Sequence, residues 1–293
     1  MKSKKSLGEI IFDSSNYIFL AVLSLVTIYP MIHVLFASFS TGSELTAYTG
    51  LLYYPLKPTL AGYEAVFSTP MILTGYINTF IVIIGGLALN ILVTSMTAYA
   101  LSRDGMLLKK PITLFVIFTM YFSGGLIPYY FLVKSIGLRD NLLVLIIPVA
   151  MSTFNMIIMR TSFEAIPVSL EESAKLDGAN DFTILFKIIL PLSKAVIAVM
   201  CLYYGVAHWN SWFQAMIFIS DRKLYPLQLV LREILLINQD NANVDNGNTG
   251  GLLNVAETLK YSLIVVSTLP VLIIYPFLQK YFVKSVMVGA VKG

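Results

Sequence analysis

Long, mainly apolar runs alternate with short polar ones along the whole chain. They extend over about 16–39, 70–102, 111–133, 141–160, 182–220 and 259–282. Each reaches the roughly 20 residues needed to cross a hydrocarbon core as a helix. Inside a bilayer the backbone must satisfy its own hydrogen bonds, so runs of this length read as helices. The pattern predicts an all-α integral membrane fold with six spans: a cytoplasmic amino-terminal segment over 1–15, then a single transmembrane domain over 16–293.

The runs are not alike. Lys2, Lys4 and Lys5 precede the first, as in a signal peptide, but it exceeds the 7–15 residues of a cleaved core and no small-x-small site ends it. It is expected to be retained, with His33 packed or interfacial. Asn78, Asn90, Thr94, Ser95 and Thr97 make the second run more polar than lipid contact favours, so much of it should face other helices or a pathway. The fifth is too long for one untilted span, and Pro191, Gly205 and His208 to Trp212 mark expected bends. A polar connection is expected over 41–69. After Asp221, one short helix is expected over Leu227 to Ile237, then a mobile Asn- and Gly-rich loop over 238–251.

Composition agrees with the pattern: 57% of residues are hydrophobic and 12% charged, against about 25% charged in soluble domains. A net charge of +4 implies no nucleic-acid partner, and in a membrane chain the placement of Lys and Arg matters more than their sum. With an inside amino terminus, basic residues 2, 4, 5, 103, 109, 110, 160, 175, 187, 194, 280, 284 and 292 fall inside, and 57, 134, 139, 222, 223, 232 and 260 fall outside. Thirteen against seven follows the positive-inside bias and puts both termini in the cytoplasm.

Between the fourth and fifth runs lies a polar island, Pro167 to Leu192. Ser169 and Glu172 have the S-x-x-E spacing of a capping box, which predicts a short helix starting at Ser169. Gly178 follows Asp177 where a left-handed residue would close that helix. Asn180 and Asp181 can cap a second helix. Ala174 and Gly178, with Ser173 and Ala179 beside them, leave one side of the bend small enough for close approach.

Glu172-Ser173-Ala174, Leu176, Asp177-Gly178-Ala179, Phe186 and Leu190-Pro191-Leu192 together closely resemble the EAA loop of ABC importer permeases. Ser173 replaces the usual first alanine, and Ala195 stands where a second proline often follows. The resemblance implies the ABC type I importer permease fold, with a cytoplasmic coupling segment over 165–181 docking into an ATPase cleft through Glu172, Ser173, Ala174, Leu176, Asp177, Gly178 and Ala179. The tail Gly289-Ala290-Val291-Lys292-Gly293 resembles that of the maltose-importer type, whose tail enters the ATPase interface; this implies such a place for Gly289, Lys292 and Gly293.

The residues themselves offer little chemistry. No G-x-x-x-x-G-K-[ST] occurs, so ATP is not expected to bind here. Zinc-ligand spacings and a nucleophile elbow are lacking too, and the lone Cys201 supports neither metal nor redox chemistry. The resemblance therefore implies a non-catalytic subunit of the bacterial inner membrane with no cofactor of its own, ATP and Mg residing on the partner ATPase. Implied partners are a second, similar permease, two ATPase copies, an extracytoplasmic solute-binding protein and a sugar substrate, most naturally an oligosaccharide. For the substrate path, Asn78, Asn155, Trp209, Asn210, Trp212 and Gln214 combine amides with aromatic faces suited to sugars. Permeases for a polyamine, phosphate or amino acid share the fold. A secondary transporter would need intramembrane carboxylates, and none is evident.

Overall fold

The computed structural model describes residues 6–243 and 257–276. Among them every regular element is helical. They form two compact units, one drawn from 6–69 with 233–243 and 257–269 and the other from 70–232 with 270–276. Among the described residues three helices are long and apolar enough to cross a membrane, or up to six spans if each of three bent helix pairs counts as one.

In the first unit α1 runs from Leu7 to Ser38. It begins well before Asn16, where the apolar run starts, because Ser6 and Glu9 make a capping box: the Glu9 N–H donates to Ser6 Oγ at 3.3 Å and the Ser6 N–H to Glu9 Oε2 at 2.9 Å. None of its most apolar stretch is buried. The 41–69 connection is more ordered than its polarity predicts, with α2 at Gly42–Ala47 and α3 at Ala61–Ser68. The last described helix, α14 (Glu257–Pro276), ties back through Ser262, whose hydroxyl donates to the Ser38 carbonyl at 3.1 Å.

The second unit is organised on α4, Pro70–Ser102. Its 33 residues extend about 50 Å at 1.5 Å per residue. Its buried positions include Gly75, Thr79, Val82, Gly86, Asn90, Thr94, Ala98 and Leu101, a spacing of three or four that traces one face. Small and polar residues on that face admit close neighbours, as helix contacts in lipid require.

The third run is not one span. α5 (Lys109–Tyr121) and α6 (Leu126–Ser135) meet at 113°. Phe122 is extended, and Ser123 Oγ accepts the Gly125 N–H at 3.2 Å, a local bond that replaces a helical one. The fourth run is also broken: 3₁₀ turns at Leu142–Leu145 and Ile147–Val149 precede α7 (Thr153–Glu164) at 50°. Pro148 lacks the N–H that a continuous helix would need.

After α8 (Ser169–Leu176), the fifth run comprises α9 (Asp181–Ile184), a π-helix at Leu185–Ile189, α10 (Leu190–Leu192), α11 (Lys194–Trp209) and α12 (Trp212–Phe218). Its main bend, 87°, lies at Ser193, just after the expected Pro191, and a second break follows Trp209 as expected, whereas Gly205 lies inside α11. The proline cannot donate to the Lys187 carbonyl and crowds it, and the turn before it is wound wide. Finally, α13 runs from Leu227 to Asn243, so Asn238 to Asn241 are helical rather than loop. Isolated polar residues cost a helix already formed only tenths of a kcal/mol each, about 0.7 at most. Positions 242 and 243 continue the helix, and 244–251 lie outside the described residues.

Two apolar clusters fill this unit. One joins Ala98, Tyr99 and Leu101 of α4 to Met156, Met159 and Phe163 of α7, Ile184, Leu185 and Ile189, and Val196, Val199, Met200 and Tyr204 of α11. The other joins Val82 to Val133, Val144, Leu145, Ile146, Ala215, Phe218, Ile219 and Leu229.

Candidate functional site

The island folds as two short helices around a tight bend, though not by the capping box. Val168 already has helical dihedrals and is the cap, so Ser169 sits inside the first turn and no side chain caps this end. The Glu172 N–H donates to the Val168 carbonyl at 3.1 Å instead of to a serine hydroxyl. The other end follows the expectation. Gly178 has φ +84°, its N–H donates to the Lys175 carbonyl at 3.0 Å, and the Ala179 N–H reaches the Ala174 carbonyl at 2.9 Å. This pair of bonds is a Schellman stop. Asn180 then caps α9, its Oδ1 accepting the Thr183 N–H at 2.8 Å. Lys175 and Asp181, 3.2 Å apart, bridge the two helices across the bend.

α8 has two faces. Ala174 and Ala179 are partly buried against the cluster of α4, α7 and α11. Glu172, Ser173, Leu176, Asp177 and Gly178 are exposed, and Leu176 is 89% exposed. On a helix, positions 172, 173 and 176 fall on one side, so the exposed residues form a continuous outward stripe. The apolar side chain at its end has no cover among the described residues.

The inward anchor is Glu171, not the neighbouring Glu172. Glu171 is 4% exposed, and its carboxylate is ion-paired with Arg103 at the carboxyl end of α4. The Tyr99 hydroxyl donates to Glu171 Oε2 at 3.3 Å, and the Arg103 guanidinium lies 5.4 Å from the Tyr99 ring centroid. Burying two charges is costly unless each faces the other, and this contact gives both a partner. A cavity of about 500 Å³ opens beside it, with Met96, Tyr99, Arg103, Lys175 and Phe182 in its wall. Sequence reasoning missed the trio. The available signal was the tandem Glu171-Glu172: consecutive residues point about 100° apart on a helix, so only one of them can face inward.

The residues expected on a substrate path are differently placed. Asn78 is buried and donates to the carbonyls of Lys223 at 2.8 Å and Tyr225 at 3.1 Å. Asn155 is buried on α7. Trp209 lies 6.3 Å from both Tyr76 and Phe80, centroid to centroid. Asn210 is exposed and donates to the Val206 carbonyl at 3.0 Å. Arg232 covers the Trp212 ring at 4.4 Å. Gln214 is partly buried on α12. No hydrogen bond joins any two of the six. The tail residues Gly289, Lys292 and Gly293 lie outside the described residues.

Comparison with known proteins places this geometry in a family. The family model for binding-protein-dependent transport system inner membrane components matches residues 107–288, a range that contains the whole island. The chain is 40% identical to the polygalacturonan/rhamnogalacturonan transport system permease protein YtcP of Bacillus subtilis (strain 168), over 97% of this chain and 99% of the relative. It is 39% identical to Protein LplC of the same organism, over 97% and 95%. Its fold is similar to a chain of the crystal structure of a bacterial ABC transporter involved in the import of the acidic polysaccharide alginate, with TM-score 0.87 and 33% identity over 96% of this chain and all of that one. The helical architecture, the outward-facing bend and these matches agree: the chain belongs to the binding-protein-dependent transport system inner membrane components, the permease family of ABC importers.

Proposed function

We propose that this permease subunit carries an oligosaccharide across the bacterial inner membrane, using ATP hydrolysed on a separate pair of ATPase subunits. A second permease completes the pathway, and an extracytoplasmic binding protein delivers the sugar. The observation that carries the coupling part is the outward stripe of α8, with Leu176 uncovered at its end and Glu171 anchoring the opposite side. Burying a leucine side chain contributes about 1.5–3 kcal/mol, enough to make this stripe a docking surface when a cleft receives it. Glu172, Ser173, Asp177 and Gly178 line the same bend, with Ala174 and Ala179 packed behind, and the ATPase is expected at this side. The N- and C-termini then lie in the cytoplasm, as the distribution of basic residues favours. ATP and Mg belong to the ATPase, and this chain needs no cofactor.

The sugar assignment draws on the relatives, whose names cover polygalacturonan and rhamnogalacturonan, galactooligosaccharides and maltodextrin. Trp209, buried beside Tyr76 and the exposed Phe80, supports it as part of an aromatic group whose outer ring can match the apolar C–H faces of sugars. Exposed Asn210 and partly buried Gln214 offer amides nearby in sequence. Mild-detergent purification of the tagged chain from its native membrane, with mass spectrometry of what accompanies it, tests the assembly. A P-loop ATPase, a second permease and a solute-binding protein are expected, and the Leu176→Ala chain should retain the permease but lose most of the ATPase. Recovery of the chain alone, under conditions that keep an ABC complex intact, would overturn the reading. The ligand bound by the captured binding protein then identifies the sugar.

A further inference from the structure

Each half of the fourth span packs into a different apolar cluster. Met156, Met159 and Phe163 of α7 belong to the cluster nearest the coupling bend, whereas Val144, Leu145 and Ile146 belong to the other. The joint between them, Ala150 to Ser152, is not helical. Backbone groups released by such a joint have no water to bind in the hydrocarbon region and must find partners in the protein.

Side chains of α4 and α11 supply those partners. Asn90 Nδ2 donates to the Val149 carbonyl at 2.6 Å. The Tyr204 hydroxyl accepts the Ser152 N–H at 3.0 Å and pairs with Thr94 Oγ1 at 2.7 Å. The Asn90 side chain also meets the imidazole, its Oδ1 lying 2.7 Å from His208 Nε2, so one amide ties the ring to the joint. Asn90, Thr94, His208 and Tyr204 are all 4% exposed or less. A Cβ at Gly86 would land on the His208 ring, so glycine there is what lets the ring reach Asn90. The fifth span breaks beside the same site, where α11 ends at Trp209 and α12 begins at Trp212.

We infer that Asn90, Tyr204 and His208 are positioning residues for transport: they form a polar latch that holds the non-helical joint of the fourth span against α4 and α11 and fixes the bend between its halves. Apolar packing is non-directional and would allow the two clusters to shift about the joint. Directional bonds from two separate helices hold one arrangement and can be exchanged for another when those helices move. The effect on transport rests on the importer reading above, while the structural role does not.

The test uses the assembled transporter in membranes. With Cys201→Ser as background, spin labels at Ile147→Cys and Phe154→Cys, both exposed positions on opposite sides of the joint, report the bend directly. The parent should give one narrow distance. Tyr204→Phe, which removes only a hydroxyl, and His208→Ala should each replace it with a broad distribution, and His208→Gln, which keeps an N–H donor, should restore it. The same variants should raise ATP hydrolysis in the absence of binding protein several-fold, with the Gln variant again near the parent. Unchanged distances in Tyr204→Phe and His208→Ala would overturn the latch. The label readout requires no ATPase, so distance changes in the variants of a preparation whose parent lacks hydrolysis count against the importer reading and leave the latch standing.

Discussion

A side chain at position 178 would meet nothing within 4 Å, yet it would have to sit at φ +84°. The penalty for replacing Gly178 is therefore conformational rather than steric, about 1–2 kcal/mol for an ordinary residue and more for a β-branched one. Gly178→Val should undo the Schellman stop and change how the exposed stripe is presented. ATP turnover per solute moved should rise in proteoliposomes, while the membrane-embedded part keeps its thermal stability; unchanged coupling would remove the glycine from this role. Asp140 acts at another joint. It adopts φ +54°, a conformation that aspartate and asparagine tolerate better than most residues, and its Oδ1 accepts the N–H groups of Ser220 at 2.5 Å and Asp221 at 3.3 Å. The Ser220 backbone bond is the main cause of a carboxyl pKa below the ordinary value, with the Asp221 N–H and nearby Arg139 adding to it. A depressed folded-state pKa contributes stability that is present above the unfolded value of about 3.9 and is lost as pH falls through the folded one. Protease susceptibility of the 138–141 turn should thus increase below about pH 4, and Asp140→Asn should flatten that dependence while keeping the backbone conformation.

Between elements, the decisive contact is the Arg103–Glu171 pair that joins the end of α4 to α8. Removing one partner leaves the other charge buried and costs about 3–5 kcal/mol, whereas an exposed pair such as Lys175–Asp181 contributes about 0–1 kcal/mol. Glu171→Gln and Arg103→Met should each lower the melting temperature of the purified complex and uncouple hydrolysis from transport. The exchanged pair, Arg103→Glu with Glu171→Arg, should recover part of the loss. Equal defects in the single and exchanged variants would show that the charges do not act on one another. Sequence patterns placed both ends of α8, its start at Ser169 and its stop at Gly178, but gave the right cause only for the second, where Gly178 and Asn180 act within a few residues. The Ser169 to Glu172 spacing was satisfied and the capping box did not form, because Val168 already has helical dihedrals and takes the cap position; the same spacing at Ser6 and Glu9 does make one. Local spacing states what a backbone can do, and neighbouring dihedrals decide whether it does.

At the scale of the molecule, the apolar runs coincide with long helices or bent helix pairs among the described residues, because the hydrocarbon core sets a length that any crossing segment must reach. They were silent on continuity. The breaks at Ser123, around Pro148 and at Ser193 lie inside runs whose composition hardly changes, and they depend on partners far away in sequence, such as Asn90 for Val149. Long-range pairing also explains why Glu171 was overlooked: its partner Arg103 lies at the far end of another span. Asn78, selected for its amide, proved to be engaged by the backbone of the 223–225 turn. The wide turn at Leu185–Ile189 carries a different kind of information. A π turn accommodates one residue more than an α turn, and each residue of a helix corresponds to about 100° of rotation. The compass bearing at which Glu172 and Leu176 leave the bundle is therefore encoded by a single additional residue. Lengthening or shortening the chain there would swing the docking stripe round the helix axis with little change in reach. Chain length between Leu185 and Ile189 is thus a dial for which neighbour the bend faces, separate from the residues that grip it.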